Sequence, residues 1–214
     1  MRVYTSPCAA RAEVFTMEGA MGSTPKEAHG CVPAEERLNV FALVIYIADP
    51  LGRFLDDLRR ELVPHDNPHA HVSVLPPRPI PIEWREASEQ ARSLTEGWAP
   101  FDVELTEIGI FPVTNVVYVE LGKGAAELES MHRALNLGLL GFEEPFTYHP
   151  HVTLAQEIPV ERVTAVHELA RKRWGEFRGS RAFRAERTTF VQNTLGNRWI
   201  DLAEYSLGAI PVKK

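Results

Sequence analysis

Two short segments of the chain, about 80 residues apart, share the pattern His-x-His-Val-Ser/Thr-aliphatic. The first is residues 69–74, His-Ala-His-Val-Ser-Val, and the second is residues 149–154, His-Pro-His-Val-Thr-Leu. A repeated segment constrains the fold, because each copy is expected to adopt the same local structure within its own half of the chain. Isolated His-x-Ser/Thr pairs arise easily by chance, whereas the longer string at matching positions of two halves does not.

The order of predicted secondary structure repeats as well. The strands predicted from apolar runs and alternation are residues 38–48, 69–75, 101–111, 116–121, 149–155, 183–192 and 199–207. The helices predicted from apolar residues at helical spacing are residues 52–63, 82–98, 125–139 and 160–174. The chain therefore runs strand–helix–strand–helix–strand twice, and a hairpin closes it.

This order predicts an α+β protein built from two pseudo-symmetric β-α-β-α-β lobes, with mixed or antiparallel sheets flanking a central cleft. We expect residues 38–214 to form this domain, with lobes at about 38–111 and 112–214. Residues 1–37 show no sustained period and predict a poorly ordered N-terminal extension. The strand at 69–75 is expected to stop at Pro76, because proline cannot donate a backbone hydrogen bond.

Composition and charge disfavour several classes of protein. No apolar run reaches the roughly 18 residues of a membrane span, so no membrane partner is expected. The formal net charge of −6 argues against a protein that coats nucleic acid through a global basic field. Cys8 and Cys31 form neither a disulfide framework nor a zinc spacing, which indicates free thiols in a cytoplasmic protein. The basic stretch at 171–187 can contact phosphates, although a solvated face explains it more simply.

The residue types in the repeated motif point to transfer at phosphorus. Because side chains alternate along a strand, His71 and Ser73 share one face, and His151 and Thr153 share the equivalent face of the second half. Imidazole titrates near pH ~6.5, so one ring can accept a proton while the other donates one. We therefore predict His71 and His151 as catalytic base and acid, and the two hydroxyls as donors to the substrate phosphate. This scheme requires no cofactor and no metal.

Both motifs resemble the H-x-T/S-x motifs of the 2H phosphoesterase superfamily, which includes bacterial 2′-5′ RNA ligases and RNA 2′,3′-cyclic phosphodiesterases. The resemblance covers residues 38 to about 207. It departs from the family pattern at the first motif, where Ser73 replaces the commoner Thr and Leu-Pro-Pro-Arg-Pro follows. The resemblance implies opening of 2′,3′-cyclic phosphates, on RNA termini or small cyclic nucleotides, to 2′-phosphates, with reversible 2′-5′ ligation as a related activity. We expect a monomer.

Two alternatives remain open at this point. His69 and His149 lie two residues before the motif histidines on the same predicted face, and four histidines on two strands also resemble a metal site. The nearest carboxylates, Asp66 and Glu157, have no counterpart in the other half, which disfavours a metal-dependent hydrolase. The second alternative is a non-catalytic module that binds nucleotides or RNA ends.

Other residues carry weaker signals. Tyr148 and Phe146 can stack on a base, as aromatic residues do in single-stranded nucleic-acid sites. Arg78 and Arg187 can neutralise a phosphate, but no motif fixes either of them. No role is expected for the remaining histidines, which are His29, His65, His132 and His167.

Overall fold

A computed structural model of the chain describes residues 36–64 and 69–208. Residues 1–35, which make up nearly all of the predicted extension, lie outside the described residues, as do His65 and Asp66. The strands are β1 (Arg37–Tyr46), β2 (His71–Arg78), β3 (Phe101–Ile110), β4 (Val117–Leu121), β5 (His151–Ala155), β6 (Ala182–Ala185), β7 (Arg187–Thr194) and β8 (Trp199–Ser206). The helices are α1 (Leu51–Leu62), α2 (Trp84–Thr95), α3 (Ala125–Leu135) and α4 (Val163–Glu176). Short 3₁₀ turns lie at Gly138–Leu140 and Val160–Arg162.

The strands form two four-stranded sheets with equivalent topologies. The first sheet has the order β2-β1-β7-β8 and the second has the order β5-β4-β3-β6. All of the pairings within the two sheets are antiparallel. In each sheet the motif strand is at one edge and pairs with the first strand of its own half. The predicted α+β fold class with duplicated halves is confirmed.

The division of strands between the sheets differs from the predicted lobe boundary at about residue 111. β3 joins the second sheet, and the C-terminal hairpin of β7 and β8 completes the first. The single strand predicted at 183–192 is in fact two strands, which separate at Glu186 and join different sheets. The chain therefore crosses from the second sheet, where β6 is the last strand, to the first sheet, which β7 joins.

Two predicted boundaries were wrong for local reasons. β2 does not stop at Pro76 but continues through Pro77 to Arg78. An edge strand tolerates proline, because a missing N–H on its unpaired side breaks no ladder hydrogen bond. α3 ends at Leu135 rather than 139, before Gly138, whose φ of 57° is left-handed and incompatible with a continued helix.

The helices bind each half to the motif strand of the other half. α3, from the second half, packs against β2, and α1, from the first half, packs against β5. α2 covers β7 and β8, while α4 covers β3 and β4. None of the helices in the described part of the chain is long and apolar enough to cross a membrane. β2 and β5 also contact each other, so the two motifs meet where the halves join.

One apolar core extends through both halves and fixes which face of each strand is buried. Leu43 of β1 and Phe190 of β7 lie opposite each other in this core, with Val72 of β2. Val152 of β5 and Leu128 of α3 belong to the same cluster. A continuous core couples the two sheets energetically, because neither half can lose its packing without exposing apolar surface of the other.

Leu43→Ala is expected to lower the free energy of unfolding by about 2–5 kcal/mol, because the side chain is 0% exposed and its truncation leaves a cavity. Leu195→Ala makes the same chemical change at a side chain that is 70% exposed, and should cost less than about 0.5 kcal/mol. Urea denaturation of both variants measures the difference. Equal losses would contradict the proposed core.

Candidate active site

The first motif presents its polar side chains on the face of the first sheet that is opposite the main core. His71 lies across from Tyr46, and Ser73 lies across from Val44. Val72, between them, is completely buried, whereas His71 and Ser73 are both partly exposed. The alternation expected for a half-buried strand is therefore present from His71 to Ser73.

The second motif repeats this arrangement in the second sheet. His151 lies across from Glu120 of β4, and Thr153 lies across from Tyr118. Val152 is completely buried, and His151 and Thr153 are partly exposed. Because β2 and β5 are in contact, the two imidazoles are close enough for a charge on His151 to lower the pKa of His71. The structure thus brings together all four residues that the sequence predicted.

Each motif imidazole is held by an equivalent hydrogen bond to the backbone. His71 Nδ1 lies 2.6 Å from the carbonyl oxygen of His69, and His151 Nδ1 lies 2.7 Å from the carbonyl oxygen of His149. A carbonyl oxygen can only accept, so each Nδ1 carries the hydrogen and donates it. In the neutral ring the lone pair is therefore on Nε2, which is the nitrogen left to exchange a proton with a ligand.

Burial makes both rings reluctant to carry a charge. The pKa of His71 is lowered to about 4, chiefly by desolvation. The hydrogen bond to the His69 carbonyl opposes this shift, and the positive charges of Arg59, His69 and His151 contribute to it. Burial also lowers the pKa of His151, where the nearby Glu120 carboxylate partly opposes the shift. Burial is the largest cause of both shifts. A positive charge on His149 also lowers the pKa of His151, and Glu120 is a carboxylate with no equivalent among the charges that act on His71.

The two motif hydroxyls are available to a ligand. Within residues 36–64 and 69–208, neither Ser73 Oγ nor Thr153 Oγ1 has a hydrogen-bond partner, although both side chains are partly exposed. Each hydroxyl is two residues beyond its imidazole on the same face. Such a group can donate to an oxygen of a ligand that the imidazole also reaches.

The flanking histidines contact the residues that lie opposite the motif histidines. The His69 ring stacks on Tyr46 with a centroid distance of 3.7 Å, and the Tyr46 hydroxyl donates to Asp201 at 2.6 Å. His149 Nε2 lies 3.0 Å from both carboxylate oxygens of Glu120. Both histidines precede their strands instead of beginning them, which corrects the predicted start of each strand by two residues.

The metal alternative depended on these four histidines with a carboxylate. In the described part of the chain, no group of three or more His, Cys, Asp or Glu residues is arranged to hold a metal ion. Glu157 is exposed and follows β5, and Asp66 lies outside the described residues.

Most of the other side chains that the sequence suggested for ligand binding form contacts within the protein instead. Arg78 is 2% exposed and forms a buried ion pair with Glu144, and Arg187 pairs with Glu204 at 3.0 Å. One face of the Tyr148 ring is covered, because the ring stacks on His132 with a centroid distance of 3.8 Å. Phe146 is exposed.

Several residues of the basic stretch are engaged by their own surroundings. Arg173 pairs with Glu61 and Glu176, and Arg184 pairs with Asp102. Arg181 lies over the ring of Trp174. These contacts favour the solvated-face interpretation over a phosphate-binding track.

Sequence reasoning missed an aromatic wall beside the second motif. Phe111 stacks on Tyr118 with a centroid distance of 4.0 Å, and both rings meet His151 edge-on. A Cβ on Gly109 would lie 2.6 Å from the Tyr118 ring, so the absence of a side chain there makes room for it. The sequence did contain one signal for residues around the motif histidines. Tyr46 near the end of β1 and Glu120 near the end of β4 are aromatic or polar residues, and these strand ends lie beside the motif strands.

Comparison with known proteins agrees with this geometry. A family model described as the 2′-5′ RNA ligase superfamily matches residues 47–197, which is well over half of the chain. The chain belongs to this superfamily. The resemblance to the 2H phosphoesterases that the two motifs carried is confirmed.

Two bacterial proteins of known structure have a similar fold. Escherichia coli LigT in its apo form has a TM-score of 0.55 and 14% identity, covering 80% of this chain and 97% of LigT. A Thermus thermophilus protein has a TM-score of 0.55 and 16% identity, covering 79% of this chain and 98% of its own. At these low identities the similarity shows only that this chain shares their fold, which has two antiparallel sheets with helices.

Curated relatives extend the comparison to sequence. A Bacillus cytotoxicus protein named as a phosphoesterase is 27% identical over 122 residues, covering 54% of this chain and 69% of the relative. A Geobacillus kaustophilus protein named in the same way is 24% identical over 128 residues, covering 56% and 70%. Family membership and these relatives support phosphoesterase activity for this superfamily member.

The hydrogen bond and burial of His71 predict an unusual titration. The ring should stay neutral as the pH falls through 6.5 and should become protonated only near pH 4, with the hydrogen of the neutral form on Nδ1. Two-bond ¹H–¹⁵N NMR correlations across a pH series measure the midpoint and the tautomer, and His71→Asn assigns the signals. A midpoint at or above the ordinary value of ~6.5 would contradict this description.

Proposed function

We propose that the protein is a metal-independent cyclic phosphodiesterase that opens 2′,3′-cyclic phosphates to 2′-phosphates, with His71 and His151 exchanging protons with the two reacting oxygens. Reversible 2′-5′ ligation is the same chemistry with a ribose hydroxyl in place of water. Superfamily membership supports the phosphoester as the substrate bond.

The observation that best supports this proposal is the matching state of the two imidazoles. Each donates its Nδ1–H to the carbonyl oxygen two residues earlier, and each has a hydroxyl without a described partner two residues later. Two such units on contacting strands suit a ligand that needs proton exchange on two sides and hydrogen bonds to the oxygens in between. A phosphodiester has that arrangement of oxygens.

The proposed hydrolysis balances with these groups alone. One Nε2 lone pair takes a proton from water as its oxygen attacks phosphorus, and the bond from phosphorus to O3′ breaks. The other Nε2–H gives its proton to O3′, which leaves a 3′-hydroxyl and a 2′-phosphate. One ring ends protonated and the other neutral, and proton exchange with solvent restores the starting state. Ser73 and Thr153 donate hydrogen bonds to the non-bridging oxygens, where negative charge increases.

The size of the substrate is proposed from two observations. Structures of Escherichia coli LigT have been solved with phosphate, 3′-AMP, NADP⁺ and ATP, which indicates a nucleotide-sized ligand for a protein of this fold. The rings of Phe111 and Tyr118 lie next to His151, where a nucleobase or ribose attached to the phosphate has apolar surface to contact. A small cyclic nucleotide or an RNA terminus fits this description.

His71→Ala and His151→Ala should each lower kcat/KM for 2′,3′-cyclic nucleotides by at least about 10²-fold in EDTA, because each removes one proton carrier. His167→Ala is the matched control, since His167 is on α4 and its ring contacts the Ile108 carbonyl oxygen at 3.4 Å, away from the motifs. Initial rates of the wild type and the three variants measure the effect, and circular dichroism confirms that each variant folds.

Each contrary outcome points to a different explanation. Activity that survives either motif substitution overturns the two-histidine mechanism, and activity abolished by EDTA in the wild type favours a metal-dependent hydrolase. A wild type that binds nucleotides but turns over no cyclic or 2′-5′ phosphodiester is a binding module.

Ser73→Ala and Thr153→Val should each lower kcat by about 10- to 100-fold with a smaller change in KM, because their hydrogen bonds strengthen as charge builds on the phosphate oxygens. Thr188→Val is the control: Thr188 is completely buried on β7 and its hydroxyl has no partner in the structure, so kcat should be unchanged. Steady-state kinetics separates the two parameters. An increase in KM alone would mean that the hydroxyls bind the ground state and the transition state equally.

A further inference from the structure

We propose that Tyr148 and His132 are positioning residues that fix the first motif relative to the second, through hydrogen bonds to the backbone of β2. The inference rests on the proposed phosphodiesterase reaction, because the separation of the motifs matters only if both imidazoles act on one phosphate. The sequence left Tyr148 open between stacking on a base and packing at the entrance of a strand, and it predicted no role for His132.

β2 has a weak point immediately after Ser73. On β1, Leu43 and Val44 are consecutive, but their partners on β2 are Leu75 and Ser73. Val74 is therefore an extra residue, a β-bulge, which interrupts the ladder. β2 is also an edge strand, so β1 holds it from one side only. Without further contacts, this part of the motif would be held less firmly than a regular central strand.

Two side chains from the second half hold the backbone at this point. The Tyr148 hydroxyl donates to the carbonyl oxygen of Ser73 at 2.8 Å, and His132 Nδ1 donates to the carbonyl oxygen of Val74 at 2.9 Å. The two rings stack with a centroid distance of 3.8 Å and an interplanar angle of 2°. Burial raises the pKa of Tyr148, so its hydroxyl remains a donor throughout the working pH range.

The same tyrosine leads directly into the second motif. Tyr148 precedes His149, whose carbonyl oxygen accepts the hydrogen bond from His151 Nδ1. The path from Ser73 to the His151 ring therefore consists of one side-chain hydrogen bond, two residues of backbone and one further hydrogen bond. A shift of Tyr148 relative to β2 changes the separation of the two imidazoles.

A buried ion pair lies next to His132 and links the same segment to the end of β2. Arg78, the last residue of β2, pairs with Glu144 and also donates to Asn136 Oδ1 at 2.6 Å and to the Leu140 carbonyl oxygen at 3.0 Å. Glu144 in turn lies 3.6 Å from His132 Nε2. A buried charge network with every member paired is rigid, because breaking one contact leaves an unpaired charge. The segment from α3 to β5 is thus attached to β2 both at the bulge and at the end of the strand.

Tyr148→Phe is the direct test, because it keeps the stacked ring and removes only the donor to Ser73. We expect kcat for a 2′,3′-cyclic nucleotide to fall about tenfold with KM changed less than about twofold, since a small displacement of a reacting group slows chemistry more than it weakens binding.

Tyr205→Phe is the matched control. Tyr205 is a buried tyrosine on β8 whose hydroxyl hydrogen bonds to Ser88 of α2, and neither residue belongs to a motif strand. Both variants lose one tyrosine hydroxyl that joins two elements, so both should lower the melting temperature by similar amounts. Only Tyr148→Phe should lower kcat.

His132 provides a second, independent variant. His132→Asn keeps a short side chain with an N–H that can donate to the Val74 carbonyl oxygen, whereas His132→Leu removes the donor. We expect His132→Asn to retain several-fold more kcat than His132→Leu at equal occupancy of the folded state.

The outcomes separate this inference from the proposed function. A wild type without turnover refutes the proposed reaction, whatever the variants do. An active wild type with equal kcat in Tyr148→Phe and Tyr205→Phe refutes the positioning role. A rise in KM without a fall in kcat in Tyr148→Phe also refutes it, because that result indicates contact with substrate.

Discussion

Both motif strands must bury aliphatic side chains on one face while they present imidazole and hydroxyl groups on the other. β2 and β5 meet this demand with completely buried valines at positions 72 and 152 between their polar residues. Each is an edge strand, and an edge strand that is polar on one face gains little stability from its own sheet. The exchange of helices supplies the missing packing, since α3 covers β2 and α1 covers β5. The two halves therefore meet at the candidate site, because the motif strands are the ones that need packing from the other half.

The duplication repeats the motif side chains more faithfully than their surroundings. Both motif strands carry a bulge at the last motif residue, Val74 and Leu154, and both imidazoles bind the carbonyl oxygen two residues earlier. Opposite the imidazoles, however, Tyr46 stands in one half and Glu120 in the other. A neutral ring and a carboxylate act differently on a neighbouring proton. The two halves are equivalent in geometry and distinct in electrostatics.

The sequence predicted the local structure well and the long-range contacts poorly. Periodicity placed all four helices and the motif strands, and it placed His71, His151, Ser73 and Thr153 on matching faces, because alternation is a property of the strand itself. It did not reveal that the 183–192 segment splits between two sheets, since one apolar pattern suits either sheet.

The contacts of Tyr148 and His132 could not be predicted from local sequence patterns either, because they join residues that are far apart along the chain. His132 is on α3, and its partner Val74 is 58 positions away along the chain. Arg78 was a candidate for neutralising a phosphate, and only the tertiary fold reveals that Glu144, Asn136 and Leu140 enclose it. Residues that serve the site through the backbone leave no pattern in a single sequence.

The low pKa values of the motif histidines define what a ligand must contribute. Burial favours the neutral form of both rings, and at His71 the positive charges of Arg59, His69 and His151 favour it further. Acid–base transfer between two histidines needs one of them protonated. A phosphodiester carries one negative charge, and a negative charge beside an imidazole raises its pKa. We therefore expect the substrate to supply the charge that protonates one ring, and the carboxylate of Glu120 to direct that proton to His151. The free protein would then rest with both rings neutral, and binding would set the acid and the base in one step.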